Sequence, residues 1–179
     1  MDQSLKTLAD YTSPGLMVPE LRSNVAAGVI AELCSLLQRQ GRLNDSAAFY
    51  EAVMRRELLS TTSFGSGWAL PHARLKGLRQ LSFALARSSQ PLVWFGESGF
   101  RPQTVFLFAV PEEEVKTYLD VIAAVARLNQ NTALLEQLLH APNGKTMFGV
   151  LEQIPLRTRG LETRAATPRR HGKLHNILN

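Results

Sequence analysis

Only one cysteine occurs among the 179 residues, so the chain can close no disulfide within itself. Cys34 falls between Leu33 and the Leu36–Leu37 pair in a helical pattern, which points to a buried core thiol. Long apolar runs are missing too. No stretch approaches the ~20 residues that cross a bilayer, so no membrane-spanning role is expected. The opening residues, Met-Asp-Gln-Ser-Leu-Lys-Thr, lack the basic-then-apolar order of a secretory leader, and cytoplasmic residence is the expectation. Internal repeats and low-complexity tracts are also absent.

Acidic residues are scarce in one place. From Arg157 onward, six basic residues stand against a single acid, Glu162, so this segment alone carries +5, the formal charge of the whole chain. The remainder is close to neutral, and a nucleic-acid-binding face is not expected on it. The division that follows is a domain over residues 1–155 and a basic tail over 156–179. The tail has no hydrophobic period and few large apolar side chains, and a mobile segment is the expectation.

With 45% hydrophobic residues and this length, the chain supports one domain with a sizeable core. Ser23 reads as the N-cap of a helix reaching about Gln40, with Val25, Val29, Leu33, Leu36 and Leu37 along one face and Gly41 as its stop. Asn44 or Asp45 caps a second helix that carries Phe49, Val53 and Met54 and ends near Leu58 or Leu59. Strands are expected at 68–70, 81–86, 92–95 and 104–110. The last is apolar almost throughout, as a central strand covered on both faces would be. Pro111 closes it, and Glu112 to Glu114 place negative charge where a helix begins. Helices are then expected over 115–128, 132–140 and 145–153. Interleaved helices and strands predict an α/β fold with helices on the faces of a sheet.

The segment Gly65-Ser-Gly-Trp-Ala-Leu-Pro-His-Ala-Arg74 is where chemistry is most legible. A phosphoryl acceptor needs a neutral nitrogen nucleophile near pH 7, and histidine meets that need with an ordinary pKa of ~6.5. The incoming group is close to doubly negative and must be met by cations and N–H donors. Gly65 and Gly67 permit the backbone angles that turn amides inward. Residues 60–63 offer hydroxyls, Arg56 offers a fork of donors, and Pro71 restrains the backbone just before His72. The plain alternative is a strand that ends in a turn. A dinucleotide fingerprint is excluded because Leu70 occupies the third glycine position. Spacing alone leads to an anion cradle beside a histidine and stops there.

The residues from Arg56-Glu-Leu-Leu-Ser-Thr-Thr-Ser-Phe-Gly-Ser-Gly to Trp-Ala-Leu-Pro-His72 resemble the active-site segment of the enzyme IIA domains of the fructose/mannitol class. These belong to the bacterial phosphoenolpyruvate-dependent phosphotransferase system and include the nitrogen-regulatory IIA proteins. The resemblance extends to Gln40-Gly-Arg-Leu-Asn-Asp and to the strand 104–111 with its Val-Pro ending, covering residues 5–155. It implies a single-domain mixed β-sheet flanked by helices on both faces. It also implies that His72 accepts a phosphoryl group from an HPr-type phosphocarrier and passes it to a IIB domain or keeps it as a signal for a regulatory protein. Arg56 matches the arginine that steadies the phosphate, and Thr62, Ser63, Gly65 and Gly67 match the phosphate-binding loop. No metal and no organic cofactor is implied.

Two positions depart from the family pattern. Ser63 stands where glycine is usual, and Tyr118 where a second active-site histidine is common. A phenol donates one hydrogen bond and stays uncharged near neutral pH, so Tyr118 favours a second reading, a IIA-like module that docks to a protein partner with little phosphotransfer. Elsewhere, His171 and His175 have helical metal-ligand spacing but no third ligand nearby. His140 is expected against the carbonyls ending its helix, and Trp68 and Trp94 in the core or at a pocket rim.

Overall fold

Residues 5–60, 62–64, 67–96 and 99–156 are described by the computed structural model, at 63 and 64 for the backbone alone. Two short 3-10 turns, Leu8–Tyr11 and Pro14–Leu16, lead into β1 (Met17–Val18), α1 (Ala26–Arg39) and α2 (Ser46–Leu59). Four short strands follow, β2 (Ser63–Phe64), β3 (Trp68–Ala69), β4 (His72–Leu75) and β5 (Ser82–Arg87), and then the longer β6 (Thr104–Pro111). Helices α3 (Val115–Gln130), α4 (Thr132–Leu139) and α5 (Gly144–Leu151) complete the order.

All eight residues of β6 are buried, and it forms the middle of the sheet. On one side β5 runs antiparallel to it from Ser82↔Ala109 to Arg87↔Thr104, with β1 parallel beyond. On the other side two strands share its length. β3 pairs parallel with Thr104 and Val105, and β4 pairs parallel with residues 108–111. β2 is antiparallel to β3 at the far edge. Helices α1 and α2 pack on each other and reach β5, β6 and β4, whereas α3 lies on β6 and α5 on β1. The result is the expected mixed sheet with helices on both faces.

Local signals explain most of these elements. The Asp45 carboxylate accepts from the Ala47 and Ala48 amides at 2.9 and 3.0 Å and so starts α2. Asn131 and Asn143 cap α4 and α5 through the Leu134 and Thr146 amides. The face of α1 with Val29, Ile30, Leu33, Cys34 and Leu37 is buried, and burial pushes the Cys34 thiol up to about 12.

Two expectations are corrected. Helix α1 begins at Ala26 and not just after Ser23, because the backbone before it is engaged elsewhere. Val93 N–H donates to Asn24 O at 2.8 Å, and Ala26 N–H donates to Val93 O at 2.9 Å. The same pairing limits residues 92–95 to one bridge, Val25↔Val93, instead of a strand.

The two ends of the described domain meet. Leu156 N–H donates to Lys6 O at 2.8 Å, Leu8 N–H to Ile154 O at 2.9 Å, and Thr7 bridges Pro155. From α3, Arg127 Nη2 donates to the carbonyls of Pro155 and Leu156 at 2.6 and 2.7 Å. Leu156, buried, is thus still attached to the body. The rest of the expected tail, with His171 and His175, lies outside the described residues.

Candidate functional site

His72 is the first residue of β4, in register with Phe108 of β6, which itself faces Phe83 of β5. Laterally paired residues point to the same side of a sheet, so the imidazole shares a face with these two rings. Pro71 leads into that position, and its carbonyl accepts from Phe108 N–H at 3.0 Å. From α3, Tyr118 comes down on this row. Its ring lies 5.4 Å from His72 at 39° and 5.7 Å from Phe108 at 73°.

The half-buried His72 ring is oriented by its own chain, with Nδ1 lying 3.1 Å from Leu70 O. A carbonyl can only accept, so Nδ1 carries the proton and Nε2 keeps its lone pair. Burial pulls the His72 pKa below its ordinary 6.5, and the nearby Arg56 and Arg74 cations add to that; the Leu70 hydrogen bond and Glu57 oppose it. Burial also pushes the Tyr118 phenol up to about 12, against Arg74 and Arg56, so it remains a neutral donor.

A cavity of about 410 Å³ opens beside the ring, lined by Ala52, Arg56, His72, Ala73 and Arg74. Arg56 sits in the last turn of α2 and uses Nη1 on Ser60 O at 3.3 Å. Arg74 is missing from the sequence-derived set. Its signal was the two-residue period of a strand, which puts residues 72 and 74 on one face, but the stretch after Pro71 reads as a turn.

The expected phosphate loop divides. Gly67 has φ +92°, and its carbonyl accepts from Gln103 and Thr104 N–H at 2.9 and 3.2 Å, tying the loop to the start of β6. Ser63 pairs with Ala69 as an extended residue in β2, which a side chain tolerates. Gly65 lies outside the described residues. In Thr62 both the backbone N–H and the hydroxyl donate to the Glu57 carboxylate, at 2.9 and 2.7 Å. Glu57 is only 1% exposed and takes a third bond from Trp94 Nε1 at 3.0 Å. This buried acid was not anticipated either. Trp94 and Trp68 are both buried, and His140 ends α4 with Nδ1 on Glu136 O at 2.9 Å, as expected. Among the described residues no group of three or more His, Cys, Asp or Glu is placed to hold a metal.

Three comparisons bear on this geometry. A family described as phosphoenolpyruvate-dependent sugar phosphotransferase system, EIIA 2, matches residues 13–154. A nitrogen regulatory protein of Bradyrhizobium diazoefficiens is 28% identical over 148 residues, covering 83% of this chain and 96% of the relative. The fructose-specific EIIABC component of the phosphotransferase system in Bacillus subtilis is 29% identical over 133 residues, 74% of this chain, and the match spans only 21% of that longer protein. Among solved structures, nitrogen regulatory protein IIA-Ntr from Neisseria meningitidis shares the fold, with a TM-score of 0.72 at 24% identity over 80% of this chain and 98% of that one.

Proposed function

This chain belongs to the EIIA 2 family of the phosphoenolpyruvate-dependent sugar phosphotransferase system, and from that premise we propose that it is a regulatory phosphoacceptor loaded on His72 by an HPr-type phosphocarrier. The observation that carries this reading is the imidazole itself. Its Nδ1 is committed to Leu70 O, its pKa is held below 6.5, and it shares one cavity with two guanidinium groups.

The reaction requires little from the protein beyond position and charge. The Nε2 lone pair of His72 attacks phosphorus in line as the P–N bond to the carrier's imidazole breaks, and that electron pair returns to the carrier's ring nitrogen. The proton stays on Nδ1, donated to Leu70 O, so no proton needs to move. Arg56 and Arg74 meet the charge of the transferring group, and Tyr118 supplies one neutral donor on the α3 side. Ser63, Gly65 and Gly67 belong to the loop expected to present donors to the phosphate. Thr62 serves the same loop by fixing its shape, since both of its donors already rest on Glu57. The downstream acceptor is a IIB domain or a regulatory protein. The near full-length match to a nitrogen regulatory protein supports the regulatory choice.

Tyr118 supports a second reading, a docking module with little transfer, because the family's usual second imidazole is replaced by a phenol. One assay separates the two. Incubated with a phosphoenolpyruvate-charged carrier, the chain is expected to gain one acid-labile phosphoryl group, and His72→Ala none. No gain on the native chain gives the case to the docking module, and gain on His72→Ala removes His72 as the acceptor.

A further inference from the structure

We propose that Glu57 is a positioning residue that sets the orientation and tautomer of His72 through a continuous line of hydrogen bonds. Its role in phosphotransfer rests on the function proposed above, but its effect on the ring does not.

The line can be followed atom by atom. The Glu57 carboxylate, buried at the end of α2, accepts from Thr62 N–H at 2.9 Å and from Thr62 Oγ1 at 2.7 Å. Thr62, held from both its backbone and its side chain, offers its carbonyl to Leu70 N–H at 2.9 Å. Leu70 in turn offers its carbonyl to His72 Nδ1 at 3.1 Å. Thr62 and Leu70 each take one bond on the N–H and the next on the carbonyl, so the line runs through their backbones and ties the Leu70 carbonyl, and with it the proton on Nδ1, to the carboxylate. Trp94 Nε1, at 3.0 Å from the same acid, anchors it from the segment that pairs with the start of α1.

Burying a carboxylate is costly unless its oxygens are satisfied, and three donors converge on this one. Charge-assisted bonds are about twice as strong as neutral ones, so the first link is also the stiffest. An acid this deep, spent on a loop residue two steps before the imidazole, makes sense as a brace for the ring. The negative charge of Glu57 also offsets part of the effect by which Arg56 and Arg74 disfavour a second proton on His72.

The test is the state of the His72 ring by ¹⁵N NMR, with the carrier-dependent loading rate measured in parallel. Native protein is expected to show one dominant tautomer, with the proton on Nδ1. Glu57→Ala is expected to mix the tautomers and slow loading about a hundredfold, the scale on which a misplaced reacting group loses rate. Glu57→Gln can still accept from the two N–H groups and donate to Thr62 Oγ1, and is expected to recover the native tautomer and most of the rate. If Glu57→Ala does not fold, Thr62→Val decides, since it removes one bond to the acid and should shift the ring the same way by a smaller amount. A folded Glu57→Ala, or failing that Thr62→Val, with the native tautomer and rate overturns the inference. If native protein accepts no phosphoryl group but the tautomer still moves in the variant, the brace stands and the phosphoacceptor reading falls.

Discussion

At the scale of single residues, His72 sets a pH dependence of stability. Its folded pKa lies below its ordinary 6.5, chiefly through burial, so the native state takes up the proton less readily than the unfolded chain. Above pH 6.5 neither state binds it, and the native state is not penalised. As pH falls from 6.5 through the folded pKa, the unfolded chain holds an extra proton and stability drops. Urea midpoints measured at about pH 7.5 and pH 5.5 should therefore differ more for the native chain than for His72→Gln, and equal differences would count against the burial of this ring. His72 and Arg56 were legible in the sequence as residue types that suit an anion. Arg74 and Glu57 were not. The first needs the strand to be known before its neighbour on the same face is, and the second is a charged residue in a helix, which by composition reads as solvated surface.

At the scale of elements, length and end signals separate what could be read from what could not. α2 announces itself through Asp45 and its apolar stripe, and β6 through an unbroken apolar run closed by proline. Strands β1, β2 and β3 are two residues long and carry no period to detect. In β4 the alternation is present, with Ala73 buried and Arg74 exposed, but four residues after a proline are too few to announce it. The helix start at Ala26 was obscured by a contact with Val93, 67 or more residues away along the chain from any local signal. Between β2 and β3, Gly67 holds φ +92°, and a Cβ there would meet no described atom within 4 Å. Gly67→Ala therefore tests backbone conformation alone. It is expected to cost about 1–2 kcal/mol in chemical unfolding, from the left-handed angle a side chain resists.

At the scale of the whole molecule, the fold class was legible because helical and strand patterns occur together in one chain around one strongly buried strand. The sheet order was not, because two short strands share one side of β6 end to end, an arrangement no periodicity encodes. Leu156, one residue past the expected domain end at 155, is held by Lys6 and Arg127. A chain ending at residue 156 should melt within about 2 °C of the full one, whereas ending it at 153 should lower the midpoint by at least about 5 °C, because it removes the partners of Lys6, Leu8 and Arg127. Calorimetry of the two truncations checks both outcomes, and a large loss on removing residues 157–179 would move the boundary.

That stitching of residues 6–8 to 154–156 has a consequence for architecture. Entry and exit open through the same doorway, on one side of the body. Such a unit can be spliced into a longer polypeptide like a bead on a thread, with its sheet left intact and the flanking chain spared any detour.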